Sequence, residues 1–309
     1  MRWLLWTMIG LPMIAWGTFH LYHEIWWVEN IVSAPSLFLV YYTIIALICL
    51  MVRFWVHLIV CVVVVLVYLA MTPKSEQSIW VNCNTPMTVV QYNLYYGNQD
   101  VNAFINYLIQ NQIDLVVLQE VAPEEGVKFF TLDDLYPYRY GGQEGVGYPS
   151  SQMILSRKPL TQMSVFYTPD GHNIISGVWH PTPQKQLPFM TAHPPSPRTE
   201  ELWHRRNAVI RTIQTMVEFN PSDEMLIVGD FNLSATSLRF ATLFPEFETA
   251  PVASWPNWSH LFDTPAFTML SIDHLWLKSL ESSRRICNRT SKTSMRGSDH
   301  KMVVTQIGY

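Results

Sequence analysis

Within its first 71 residues the chain carries three apolar runs that a single water-soluble core does not easily absorb: residues 3–19, 37–52 and 54–71. A helix needs roughly 17 to 25 mostly apolar residues to cross a bilayer. The first run, preceded by Arg2, admits two readings. It is a membrane helix near the lower length limit, or a signal peptide with Ala15-Trp16-Gly17 as a poor cleavage site. The other two runs are separated only by Arg53, with His57 close to the break. One continuous helix would outrun the bilayer and set Arg53 near its centre, which is costly. A tight helical hairpin with Arg53 at one face costs less. Arg2 and Arg53 then share the cytoplasmic side, and residues 20–35, with two Glu and no Lys or Arg, lie outside. The chain leaves Met71 on the outer face under either reading of the first run. Trp26, Trp27 and Trp55 suit interfacial belts.

The expectation is therefore a membrane anchor over 1–72 with about three transmembrane helices, a linker over 73–87 around Thr72-Pro73-Lys74-Ser75-Glu76, and a polar domain over 88–309. Of the 44 charged side chains (20 Lys and Arg, 24 Asp and Glu), only Arg2, Glu24, Glu29 and Arg53 precede residue 74, so the polar domain keeps the net charge of −4. Such a domain is a poor electrostatic match for duplex DNA, which is held through many Lys and Arg contacts to phosphate. That weighs against a nuclease without excluding one. Cys49 and Cys61 sit in apolar runs as small hydrophobes. Cys83 and Cys287 lie in the polar part. They could pair if it is exported, or remain free thiols, since spacing does not place them within bonding distance.

Beyond residue 88 the pattern alternates between strands and helices. Residues 88–93 read as a strand, Val101, Phe104, Ile105, Leu108 and Ile109 as one face of a helix, and 115–119 as a second buried strand. This is a β-α-β opening. The Gly- and Tyr-rich stretch 136–151 reads as a loop, and 153–155 as a strand. Residues 174–179 and 187–192 read as a hairpin. Ser196 and Pro197 offer an N-cap and first position for a helix reaching Phe219. Residues 226–228 form a buried strand, followed by Gly229-Asp230-Phe231-Asn232. The glycine is expected to free the backbone for a sharp exit, and Asp230 and Asn232, two apart, to aim at one point. Residues 255–269 form an aromatic-rich loop, 272–277 and 302–307 further strands. No internal repeat is present.

Polar residues recur where these strands end: Asn93, Glu120, His193, Asp230, Asn232, Asp273 and the pair Asp299-His300. Each alone is ordinary strand-end polarity, and an Asp-Asn turn after a strand is common. His172, His180, His204, His260 and His274 read as surface or packed histidines.

The ordered motifs QYN, LQE, TAH, GDFN, IDHLW and GSDH resemble the endonuclease/exonuclease/phosphatase superfamily, with its DNase I-like fold, over the whole polar domain. The resemblance implies a four-layer α/β/β/α sandwich, here preceded by N-terminal transmembrane helices, and Mg²⁺- or Mn²⁺-dependent hydrolysis of phosphate esters. It casts Glu120 as principal metal ligand with Asn93 beside it and Asp299 close by. Asp230 and Asn232 position the attacking water and the phosphate. His193 and His300 are the catalytic histidines, and Asp273 orients His300. Oxygen ligands for one hard cation, a carboxylate to hold water, and imidazoles to meet developing negative charge suit phosphoryl displacement.

The layout is similar to membrane-bound bacterial members such as the teicoplanin-resistance-type phosphatases. It implies a multi-pass protein of the bacterial inner membrane whose catalytic domain faces the periplasm or exterior. Its partners would be the bilayer and a phosphate ester or pyrophosphate, lipid-linked in that analogy. The alternatives are an extracellular nuclease and a non-catalytic membrane protein that binds phospholipid or a partner.

Overall fold

A computed structural model describes residues 2–22, 24–79, 83–143, 151–258, 261–280 and 284–309. His260 and residues 144–150 of the Gly- and Tyr-rich loop lie outside them. The helices are α1 (Arg2–Phe19), α2 (Trp26–Val32), α3 (Pro35–Met51), α4 (Trp55–Met71), α5 (Val101–Gln110), α6 (Pro123–Lys128), α7 (Glu200–Phe219) and α8 (Leu238–Thr242). The strands are β1 (Glu76–Ser78), β2 (Met87–Asn93), β3 (Leu115–Gln119), β4 (Tyr138–Gly141), β5 (Gln152–Ser156), β6 (Leu160–Tyr167), β7 (Asn173–Thr182), β8 (Lys185–Ala192), β9 (Glu224–Asp230), β10 (Glu248–Thr249), β11 (Asp273–Ser279), β12 (Arg285–Lys292) and β13 (Met302–Gly308).

The strands form two sheets, in the orders β1-β12-β13-β2-β3-β5-β4 and β10-β11-β9-β8-β7-β6. Each sheet has one parallel pair, β2 with β3 and β8 with β9, and the remaining pairs are antiparallel. A parallel pair needs a crossover, and α5 and α7 supply the two. Side chains alternate between sheet faces. Val90, Tyr92, Val116 and Leu118 therefore pack against Val101, Phe104 and Leu108 of α5. Val89, Leu115 and Val117 face Leu226, Val228, Leu275 and Leu277 of the other sheet. Ile227, Met225 and Trp276 pack outward against Val209, Ile210 and Ile213 of α7. Those three cores give the expected order of helix, sheet, sheet, helix.

Two expected boundaries move. The N-cap of α7 is Thr199, whose side chain accepts from the Leu202 amide at 3.2 Å; Ser196 and Pro197 remain in the extended approach to it. Strand β1 lies inside the stretch expected as a linker, pairs with β12, and precedes Cys83, which is disulfide-bonded to Cys287.

The N-terminal helices pack on one another through Leu5, Ile9, Leu39, Tyr42, Ile45, Cys61, Val64 and Tyr68. The expected hairpin is present: α3 and α4 are joined by a tight turn with Arg53 at φ 57°. The Arg2 guanidinium lies 5.6 Å from the Phe54 ring centroid, so both arginines occupy one end of the unit. By length and composition, among the described residues, only 2–22 suffices alone to cross a bilayer. Helices α2 and α3 pass together but bend by 59° at their break, and α4 is shorter. Residues 20–35, expected as a loop, contain α2, and this helix docks on the polar domain.

Candidate active site

Every strand that carries a candidate residue brings it to the same edge of the two sheets. Strands β2 and β3 run parallel, so Asn93 and the residue after Gln119, Glu120, emerge side by side. Strands β8 and β9 do likewise in the other sheet, delivering His193 and Asp230. Strand β11 is antiparallel to β9, and its first residue, Asp273, stands opposite Asp230 in register. His300 precedes β13, the neighbour of β2. Alternation then decides direction: Asn93, Asp230 and Asp273 share the inter-sheet face with Val89, Val228 and Leu275, whereas His274 points to the helix side.

The side chains converge. The Asn93 amide donates to Oε1 of Glu120 at 3.1 Å and to Oδ2 of Asp230 at 3.0 Å. Nε2 of His193 stands 3.4 Å from Oδ2 of Asp230 and 3.7 Å from Oε1 of Glu120. Nε2 of His300 stands 3.6 Å from Oδ2 of Asp230, and its Nδ1 stands 2.8 Å from Oδ2 of Asp273. Asn232 Nδ2 lies 3.4 Å from Nε2 of His193 and donates to the Pro194 carbonyl at 3.0 Å. Asp299 Oδ2 accepts from the Trp255 indole at 3.1 Å. Glu120, His193, Asp230, Asn232, Asp299 and His300 line one cleft of about 730 Å³. Asn93 and Asp273 sit buried immediately behind them.

Charge is unevenly distributed here. Burial alone would lower His300, but the Asp273 and Asp230 carboxylates outweigh it and push it up to about 10. Burial likewise opposes the charged form of His193, and Asp230 and Glu120 overcome it and raise its pKa. Asp230 is held well below the usual carboxylate range: burial works against this, but His300, His193 and the Asn93 amide prevail. Asp273 is raised, chiefly by burial. Behind the site, Arg289 is fully buried and donates to the Gln91 side chain at 3.1 Å and the Asp273 carbonyl at 2.9 Å. Sequence reading missed both residues, because a polar residue inside an otherwise apolar strand carries no signal of what lies opposite.

The GDFN turn differs from the expectation in its mechanics. Gly229 is not in the left-handed region; a Cβ there would stand 2.2 Å from the Ala192 carbonyl oxygen, so the glycine permits close approach of β8. The left-handed backbone belongs instead to Asn232, at φ 49°, and to Glu120, at φ 51°. Non-glycine residues in this region cost on the order of 1 kcal/mol or more and cluster at functional sites. The Asn232 side chain returns to the cleft by that turn, which is fixed by the Asn232 backbone N–H donating to Oδ1 of Asp230 at 3.0 Å.

A hard divalent cation fits this donor set. Four carboxylates, Glu120, Asp230, Asp273 and Asp299, meet two histidines at the site, and oxygen ligands are what Mg²⁺ or Mn²⁺ prefer. Among the described residues the ligand atoms of Asp230, Asp273 and His300 lie within 4.8 Å of one another. Asp273 and His300 are already paired there, which leaves the solvent-reaching Glu120 as the freer carboxylate.

Of the other histidines, His180 Nε2 lies 2.7 Å from the Thr161 hydroxyl at the far end of β7, whereas His172, paired with Asp170, precedes the end of β7 that lies beside Ala192 and so stands at this edge near His193. One wall of the cleft was not foreseen: Asn30, Ser33, Ala34, Ser36 and Leu37, from α2 and the start of α3.

A family model for the Endonuclease/Exonuclease/phosphatase family matches residues 90–300. No curated protein matches the chain. Among solved structures, D. rerio TDP2 complexed with a single-strand DNA product superposes with a TM-score of 0.60 at 16% identity, over 73% of this chain and 100% of that one. A functionally unknown conserved protein from Enterococcus faecalis V583 gives 0.58 at 17%, over 72% and 100%. The human Nocturnin catalytic domain with a bound sulfate gives 0.53 at 12%, over 76% and 97%. At these identities the likeness is one of fold.

Proposed function

The chain belongs to the endonuclease/exonuclease/phosphatase family, whose members are generally metal-dependent hydrolases of phosphoester bonds, and on that premise we propose a membrane-anchored phosphoesterase that attacks a phosphate ester or pyrophosphate with water. The observation that carries this reading is the meeting of Glu120, His193, Asp230, Asn232, Asp299 and His300 around one cleft, backed by Asn93 and Asp273.

Glu120 with Asn93 and Asp299 would hold Mg²⁺ or Mn²⁺, which when bound neutralises phosphate charge and draws electron density from the phosphorus. The chain's own residues do the rest. Asp230, held ionised between two imidazoles, orients the water and is placed to take its proton as the new P–O bond forms. Asn232 offers an amide N–H to a non-bridging oxygen. His300, cationic at neutral pH, and His193 meet the negative charge that builds as the ester bond breaks. Asp273 fixes the His300 ring so that Nε2 faces the cleft.

Anchoring is supported by what α1, α3 and α4 leave uncovered. Leu4, Leu37, Val56 and Ile59 are each 60% exposed or more, an apolar exterior that suits lipid better than water. Arg2 and Arg53 occupy the end away from the polar domain, while Pro35 and Met71 adjoin Ser234 and Thr236 at the other. By the positive-inside rule the catalytic domain then lies outside the cytoplasm, in a bacterial inner membrane facing the periplasm, and the Cys83–Cys287 disulfide suits that side. A lipid-linked phosphate is the finer substrate reading, because exposed Leu37 of α3 walls the same cleft as the carboxylates. A duplex-cutting nuclease is disfavoured: the cleft's cationic side chains of Arg or Lys type are Arg198 and Arg206, and Arg206 is committed to Glu29. The test is a phosphate-release screen of the full chain in detergent with Mg²⁺ or Mn²⁺ over prenyl phosphates, phospholipids, nucleotides and DNA. Release from lipid-linked substrates at the highest rate supports the reading, and DNA as the preferred substrate contradicts it.

A further inference from the structure

The short helix α2 does more than join two apolar runs. Its Glu29 is 2% exposed and enters a socket on the polar domain. There it accepts from the Trp203 indole, from Nη2 of Arg206, and from Nε of Arg239 at 3.1 Å. Arg206, equally buried, turns its other arm to the Asn232 carbonyl, with Nη1 donating at 3.1 Å. The next residues are gripped from the same side: the Ser33 carbonyl accepts from the Ser234 hydroxyl at 2.8 Å and the Thr236 hydroxyl at 2.6 Å. The left-handed Asn232 turn thus carries a backbone bond to an arginine whose charge is balanced by the N-terminal unit. A buried cation stripped of its partner is costly and seeks water or a new acceptor. With Glu29 neutral, Arg206 loses its counter-charge and keeps only the neutral acceptors Asn207 Oδ1, at 3.0 and 2.8 Å, and the Asn232 carbonyl, so its hold on the Asn232 turn loosens.

We propose that Glu29 is a positioning residue of the active site, acting through Arg206 on Asn232, so that hydrolysis depends on docking of the helical unit. This rests on the phosphoesterase reading for its kinetic consequence and on geometry alone for its structural one. A fragment starting after the anchor lacks this carboxylate and would leave Arg206 and Arg239 facing each other uncompensated.

The experiment uses the full chain in detergent, with bis-p-nitrophenyl phosphate and Mg²⁺ as probe and Glu29→Gln as the variant, since glutamine keeps shape and removes charge. The expected result is a kcat lowered about tenfold with KM little changed, a modest case of the loss that slight misplacement brings. In an Asn232→Ala background the same change should cost nothing further, because its target is gone. A structural arm needs no turnover: with isotope-labelled asparagine, the Asn232 amide resonance should shift in Glu29→Gln while that of Asn288, on distant β12, stays. An unmoved Asn232 resonance overturns the proposal whether or not the probe is hydrolysed. So does a kcat loss that multiplies fully with Asn232→Ala, which would mark a general loss of stability.

Discussion

Asp273, which opens β11 in one sheet, and His300, in the turn that leads into β13 of the other, are joined across the seam between the sheets, Oδ2 to Nδ1 at 2.8 Å. The site is therefore built where the two sheets meet rather than on either one. Asp273→Asn keeps the size of the side chain but can present an amide to Nδ1, which disfavours the tautomer and charge that face Nε2 to the cleft. The expected loss in kcat is on the order of 100-fold or more, with KM little changed and the thermal midpoint within a few degrees. Steady-state kinetics on any hydrolysed phosphoester, with a melting curve alongside, checks it.

Gly229, like the core residue Phe231, is a member of the GDFN motif that does not line the cleft. Its replacement by alanine drives a methyl into the Ala192 carbonyl at 2.2 Å and must push β8 from β9. The change should destabilise the domain by about 3 kcal/mol, the upper range for overpacking, and separate His193 from Asp230. Chemical denaturation of wild type and variant reads the first effect.

The layered fold was legible because its strands are short apolar runs bounded by punctuation, and because α5 and α7 show their stripes. Edge strand β6, with its mostly exposed side chains, gave no such pattern. Strand β12 was hidden by its own chemistry: Arg289 is buried on it against Gln91, and burial of an arginine is not written in local sequence. The site residues were readable as strand ends, and alternation explains why Asp273 faces the inter-sheet side and reaches His300 while His274 points to the helix side. The Glu29 socket was not readable. Its partners lie 174 to 210 residues away, and only the tertiary fold brings them together.

His274 offers a pH test. It is fully buried, its Nε2 lies 2.7 Å from the Leu233 carbonyl, and burial lowers it to about 3. The unfolded chain binds the proton below about 6.5, and the folded chain resists it down to about 3. Stability should therefore fall as pH drops through that window, by about 3 kcal/mol at pH 4 from this group. His274→Gln should flatten the acid limb of a plot of thermal midpoint against pH. An unchanged slope would assign acid sensitivity elsewhere.

The Cys83–Cys287 disulfide closes 204 residues and ties the segment after β1 to β12. Reduction, or the double change to serine, should cost about 2–5 kcal/mol. Midpoints measured with and without dithiothreitol should differ in the wild type and coincide in the serine variant.

The central claim is that Glu120 and His300 serve one metal-dependent hydrolytic centre. Its most direct measurement is the Mg²⁺-dependent rate of phosphoester hydrolysis by the full chain, beside Glu120→Gln and His300→Ala at matched folding. The account predicts that the wild-type rate vanishes with chelator and returns with Mg²⁺ or Mn²⁺, and that each variant falls to background under all conditions. Near-normal rates in both variants, or a rate indifferent to chelation, would contradict it.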